Sequence, residues 1–299
     1  MSFLMLKHNS VLVTGSEGLI GKELTRRLVE KKINVVEYDI KNGQDVLDQK
    51  SLEKVIDEID GVIHLAAVSR VVTGYKDPYA AVMTNVIGTS NILDLIRRKN
   101  PSSWFIFGSS REVYGESPDV VKESHPQKPI NVYGASKSAG EFLSLCYGNN
   151  YGLNTFVVRF SNVYGALNDH PDRVIPRFFN QALANSDITV YGGNQIFDFV
   201  FLSDAVDGLM HLIEKIVNNE RLENNTFHFL TGKSLTLVEL AKKIIKLTNS
   251  KSKINYLARR EFDVDCFAGD ATQTMRVLGW HSKVSVDEGL QRYLRLLKG

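Results

Sequence analysis

Tyr133 and Lys137 stand four residues apart at the start of a segment with helical patterning, so both side chains leave one helix face about one turn apart. A phenol with its ordinary pKa near about 10 is a poor base, but a neighbouring ammonium favours the phenolate. The pair is then a proton shuttle, suited to oxidising an alcohol whose proton must leave as a hydride departs. On solvated helices the same spacing is commonplace, so its meaning depends on what accompanies it.

A companion lies near the N-terminus. Thr14-Gly15-Ser16-Glu17-Gly18-Leu19-Ile20-Gly21 sets three glycines three residues apart, between an apolar strand and a helix. One glycine permits the tight turn, another lets the backbone approach a pyrophosphate, and a third allows close packing of helix on strand; the helix N-terminus adds donors and partial positive charge. Asp39, 18 positions beyond Gly21 (39 − 21), ends the second apolar strand. A carboxylate there can accept from an adenosine ribose and would repel a 2′-phosphate, which favours NAD over NADP.

The elements that must hold these residues alternate. Val11 to Thr14, Ile33 to Tyr38, Gly61 to Leu65, Trp104 to Phe107 and Thr155 to Arg159 are short apolar runs, with helical segments near 51–58, 79–98 and 134–149. Fully apolar strands separated by helices imply a parallel sheet covered on both faces, because parallel connections need a crossover. The expected class is α/β, a Rossmann-type doubly wound parallel sheet with a smaller, discontinuous α/β substrate-binding lobe. The rhythm stops in an irregular stretch from Tyr164 to Pro176, while Phe199 to Leu202 and a helix from Asp204 to Val217 look like a return to the main sheet. The expected division is therefore 1–165 with 195–231 for the dinucleotide domain, and 166–194 with 232–299 for the second lobe.

With these motifs the chain resembles an extended short-chain dehydrogenase/reductase of the NAD-dependent nucleotide-sugar epimerase/dehydratase branch, similar to UDP-glucose 4-epimerases. The pattern also matches at Asp45-Val46, His64-Leu65-Ala66-Ala67, Asn85-Val86-Ile87-Gly88-Thr89, Ser109-Ser110-Arg111-Glu112-Val113-Tyr114-Gly115, Arg159 to Gly165, and Asp198-Phe199-Val200. The resemblance implies that the glycine-rich segment (Gly15, Glu17, Gly18, Leu19, Ile20, Gly21), Asp39, Asp45 and Val46 (adenine contact), Leu65, Ala66, Ala67 and Asn85 bind NAD, along with Tyr133 and Lys137. It makes Ser110 a third catalytic residue, sharing a hydrogen bond with the sugar 4-OH beside Tyr133, and it assigns Asn162, Arg177, Arg260 and Phe267 to the substrate. Chemically, a serine donor beside a tyrosinate would steady the developing carbonyl.

Two departures bear on the reaction. The 4,6-dehydratases of this branch carry Asp-Glu after the catalytic hydroxyl, where this chain has Arg111-Glu112. An arginine is always protonated and cannot donate the proton that expels water, so C4 epimerisation through a transient 4-keto sugar is expected; Glu112 keeps proton transfer at C5 open, and otherwise it is a carboxylate paired to Arg111 or a lysine. The diphosphate-binding arginine expected before Asp198 is replaced by Phe197; Arg260 falls on the second phosphate-binding arginine, and Arg177 could supply compensating charge. Phe267 falls where 4-epimerases border the C2 substituent, and its ring is expected to crowd an N-acetyl group. Other readings stay open: a dehydratase, a 4-keto-sugar reductase, or a dinucleotide-sensing regulator without catalysis.

Composition narrows the classes further. Lys and Arg total 36 against 34 Asp and Glu, a net charge of +2, which gives no field that would select nucleic acid or an acidic membrane surface. Two cysteines, Cys146 and Cys266, cannot form a disulfide framework and lack metal-ligand spacing, so reduced thiols, a cytoplasmic location and no metal are expected. The apolar cluster Phe3 to Leu6 is too short for a signal sequence, and no run approaches the ~18 apolar residues of a membrane span. A nucleotide-diphosphate sugar is the expected partner, and a homodimer the expected assembly.

Overall fold

A computed structural model describes residues 7–117 and 119–299; the Phe3 to Leu6 cluster lies outside the described residues. Six parallel strands form the main sheet in the order Thr226–Phe229, Asn154–Phe160, Trp104–Ser110, Gly61–His64, Ser10–Thr14, Asn34–Tyr38. Ser10–Thr14 is buried at all five positions, as a strand covered on both faces must be. On one face Leu24 and Leu28 of helix Leu19–Glu30 pack with Ala205, Leu209 and Ile213 of helix Leu202–Val217. On the other, Leu52 and Ile56 pack with Ile92 and Ile96. The strand order reverses between Ser10–Thr14 and Gly61–His64, and such a switch point opens a crevice at the carboxyl ends of the strands, where ligands bind in doubly wound sheets.

A second core gathers Ile175, Phe178 and Phe179 with Ile188, Leu240 and Ile244. Here the structure corrects the expected return to the main sheet. Strand Ile196–Phe201 lies instead in a three-stranded sheet with Asn162–Tyr164 and Ser234–Thr236, and the main sheet gains its sixth strand from Thr226–Phe229. Alternation explains the placement, because Phe197, Phe199 and Phe201 enter the second core while Val200 enters the first. The irregular stretch ends earlier than expected: helix Val174–Leu183 already contains Pro176, tolerated in a first turn where its missing N–H is not needed. The helical segment near 79–98 is present without interruption as Pro78–Val82, a π turn Met83–Ile87 and Gly88–Lys99. Among the described residues no helix is long and apolar enough to cross a membrane.

Candidate active site

The crevice is a cavity of about 760 Å³ running from the glycine-rich turn to the second core. Its floor is built by close approach. Gly15 has φ of +73° and a Cβ there would lie 2.7 Å from the Ala66 nitrogen; a Cβ on Gly21 would overlap the Gly15 carbonyl oxygen. Gly18 opens helix Leu19–Glu30 without a side-chain cap, so the first-turn N–H groups keep their capacity for an anion. Asp39 is buried at the end of Asn34–Tyr38 and accepts from the Lys41 and Glu17 amides, each at 2.9 Å. Asp45, Val46, Leu65, Ala66 and Ala67 line the same end.

Two residues assigned to the dinucleotide sit differently. Glu17 is outside the cavity lining, its carboxylate 3.5 Å from Lys22 and only its backbone meeting Asp39. Asn85 is buried in the π turn, where its side chain accepts from Val68 N at 2.7 Å and donates to Val68 O at 3.2 Å and Ser136 Oγ at 2.8 Å. It holds the cavity wall instead of forming it. A π turn shifts side-chain direction by one residue, a detail the sequence pattern does not carry. His64 links Thr14 Oγ1 (2.7 Å) and Thr89 Oγ1 (3.0 Å) below the floor. Burial, aided by the Lys137 charge, pushes its pKa down to about 3, so it is a neutral strut.

Ser110, Tyr133 and Lys137 meet in the middle of the cavity. Ser110 ends the Trp104–Ser110 strand and accepts from the Glu112 amide at 3.2 Å; Tyr133 and Lys137 project from the first two turns of helix Val132–Tyr151. Asn131 caps that helix, accepting from Gly134 N at 2.8 Å. Lys137 is buried, donates to Gly108 O at 2.7 Å, and stands 4.8 Å from the Phe107 ring. Burial lowers its pKa to about 7, with Glu141 one turn further on pulling the other way. Burial raises Tyr133 to about 12; hydrogen bonding with Ser110 opposes this and the Glu112 charge reinforces it. Without a cationic ligand the phenol is therefore protonated at neutral pH, and positive charge brought beside it would favour the phenolate that acts as a base.

At the far end Asn162, Arg177 and Arg260 line the cavity. The Arg177 and Arg260 guanidinium groups lie 5.4 and 5.0 Å from the Tyr191 ring, and Arg260 forks onto Asp263 at 2.6 and 2.8 Å. Burial and the Arg260 charge depress Arg177, whose Nε has no hydrogen-bond partner among the described residues. Phe267 departs from the expectation: it is a core ring, 1% exposed, stacked on Tyr114 at 6.1 Å and outside the cavity lining. Strand pairing sets this, since its amide bonds to Ile196 O and draws the side chain into the second core. Glu112 is buried with both oxygens engaged, by Arg111 at 2.8 Å and Asn131 at 2.9 Å, as the paired alternative anticipated. Sequence reasoning missed the rim formed by Arg70, His170, Asp172 and Arg173, which no motif marks.

A model of the NAD dependent epimerase/dehydratase family matches residues 11–225, which spans the glycine-rich turn, Ser110, Tyr133 and Lys137. The chain belongs to this family. Members of the NAD dependent epimerase/dehydratase family use NAD, and NAD is the cofactor of this chain. UDP-glucuronic acid decarboxylase 4 of Arabidopsis thaliana is 31% identical over 94% of the chain, which spans 66% of that protein. The structure of a UDP-glucose 4-epimerase from Thermotoga maritima with UDP-glucose superimposes with a TM-score of 0.90 at 27% identity, covering 97% of this chain and 98% of that one. A UDP-glucuronic acid 4-epimerase from Bacillus cereus, in complex with UDP-glucuronic acid and NAD, gives 0.88 at 25% identity, covering 97% and 99%. The residues present fit the dinucleotide: the floor excludes side chains where a pyrophosphate would lie, and the uncapped helix supplies its donors.

Proposed function

We propose that this protein epimerises C4 of a nucleotide-diphosphate sugar, a UDP-hexose or a UDP-hexuronic acid, through a transient 4-keto sugar. The observation that carries the reading is the convergence of Ser110, Tyr133 and Lys137 on one cavity, between the uncapped helix at one end and the Arg177–Arg260 pair at the other. Bound NAD supplies the acceptor for the hydrogen lost from C4. Tyr133 takes and returns the 4-OH proton, Ser110 holds the same oxygen, and Lys137 donates hydrogen bonds and positive charge beside them. Arg177 and Arg260 hold the diphosphate, and Asn162 lies on the sugar's side.

Dehydration is disfavoured because Arg111 cannot act as an acid and Glu112 is doubly engaged. The uridine nucleotide is supported by the UDP-sugars in the Thermotoga maritima and Bacillus cereus structures. Exposed Tyr79, Phe142 and Tyr151 on helices that pack together support a homodimer, and free Cys146 and Cys266 suit a reducing cytoplasm.

The test is incubation with a panel of UDP-sugars without added cofactor. The expected result is a C4 epimer, abolished by Tyr133→Phe with NAD binding retained. Stoichiometric consumption of NADH by a 4-keto sugar, with no epimer from any substrate, would overturn it in favour of a reductase.

A further inference from the structure

Arg111 and Phe197, the two departures from the sequence pattern, touch each other. The Arg111 guanidinium lies 4.3 Å from the centroid of the Phe197 ring and 5.7 Å from that of Phe267. It is 8% exposed and lines the cavity next to Ser110. One edge is committed, Nη2 to Glu112 Oε1 at 2.8 Å, and the second Glu112 oxygen is held by Asn131, which fixes the plane of the pair. Nη1 is buried with no hydrogen-bond partner among the described residues. A guanidinium N–H left unpaired in a buried site is costly, and a site that keeps one has a use for an acceptor.

The acceptor is not the diphosphate, since Arg177 and Arg260 form a separate cluster around Tyr191. Arg111 instead adjoins the residue placed at the reacting C4 hydroxyl, and its charge reaches Tyr133. The oxygens that flank C4 of a pyranose are those on C3 and on C6. A planar guanidinium, stacked on an aromatic ring and weakly hydrated, matches a carboxylate far better than a single hydroxyl. We propose that Arg111 is the receptor for a C6 carboxylate, so that the site selects nucleotide-linked uronic acids over neutral hexoses. Phe197 takes part by giving up a phosphate-facing cation and offering a flat face that holds this one beside the sugar. The inference narrows the sugar of the proposed function and rests on it only for the orientation of the sugar at Ser110 and Tyr133.

The experiment is equilibrium titration of the NAD-loaded protein with UDP-glucuronic acid, UDP-glucose and UDP, for the wild type, Arg111→Met and Arg111→Lys. The wild type is expected to bind UDP-glucuronic acid at least about tenfold tighter than UDP-glucose. Arg111→Met should weaken UDP-glucuronic acid about ten- to a hundredfold and change the other two by less than about threefold, with partial rescue by lysine. Equal weakening of all three ligands, or a wild type that does not prefer the uronate, overturns the proposal. If Arg111→Met does not fold, the wild-type preference and its reduction in Arg111→Lys still decide. Because binding is read without turnover, absence of any C4 epimer would sink the epimerase reading and leave this one separately testable.

Discussion

Replacing Lys137 by Met should make the cofactor-free protein more stable, and more so in acid than in base. The ammonium is buried, with Gly108 O as its hydrogen-bond acceptor and the Phe107 ring beneath it. Burial lowers its pKa from 10.5 to about 7. Between those values the unfolded chain holds a proton that the native protein has released, so wild-type stability rises with pH across that window; below about pH 7 the burial penalty is fully present. At about 1.4 kcal/mol per pH unit the fall amounts to a ceiling of about 5 kcal/mol. The Met variant lacks that contribution and keeps a side chain of similar length. Urea unfolding of both proteins at about pH 6, 8 and 10 should show the variant ahead at the lowest pH, with most of the gap closed at the highest. Parallel stability profiles would refute the reasoning, because the ammonium would then be solvated or paired in solution.

Other outcomes follow from the same geometry. Gly21→Ala forces a methyl into the Gly15 carbonyl, and a titration should show NAD affinity lost while Tyr133 and its surroundings stay intact. Asp39→Ala removes the acceptor of the Glu17 and Lys41 amides, and should weaken NAD about tenfold while narrowing its advantage over NADP; an unchanged NAD-to-NADP ratio would contradict the assignment of the ribose to Asp39. Glu141→Gln breaks a buried pair with Arg159, in which Glu141 also accepts from Ser109 and from Gln127 at 2.5 Å. Chemical denaturation should register a loss of about 3–5 kcal/mol, since Arg159 is left buried without its counter-charge.

The parts of the fold and site legible in the sequence are those set by local geometry. The glycine turn announces itself because a strand, a positive-φ turn and a helix N-terminus each restrict residue type at fixed spacing, and Tyr133 and Lys137 share a face because a helix turns every 3.6 residues. What escaped depends on which element meets which. Phe197, Phe199 and Phe201 alternate as a strand should, but alternation does not name the partner strand, so nothing in the run Phe199 to Leu202 shows that its strand pairs outside the main sheet. Asn85 lost its assigned place to a π turn, and Phe267 to a pairing that turns it into the core. Arg111 and Phe197 are 86 positions apart (197 − 111), and only the fold reveals that one lies on the other.

The central claim is that the hydrogen lost from C4 returns to the same carbon. It is tested most directly with a UDP-sugar deuterated at C4, incubated with the protein alone and examined by NMR. Full retention of deuterium at C4 in both epimers is the predicted result. Wash-out of the label into solvent, or an epimer formed at another carbon, would contradict it.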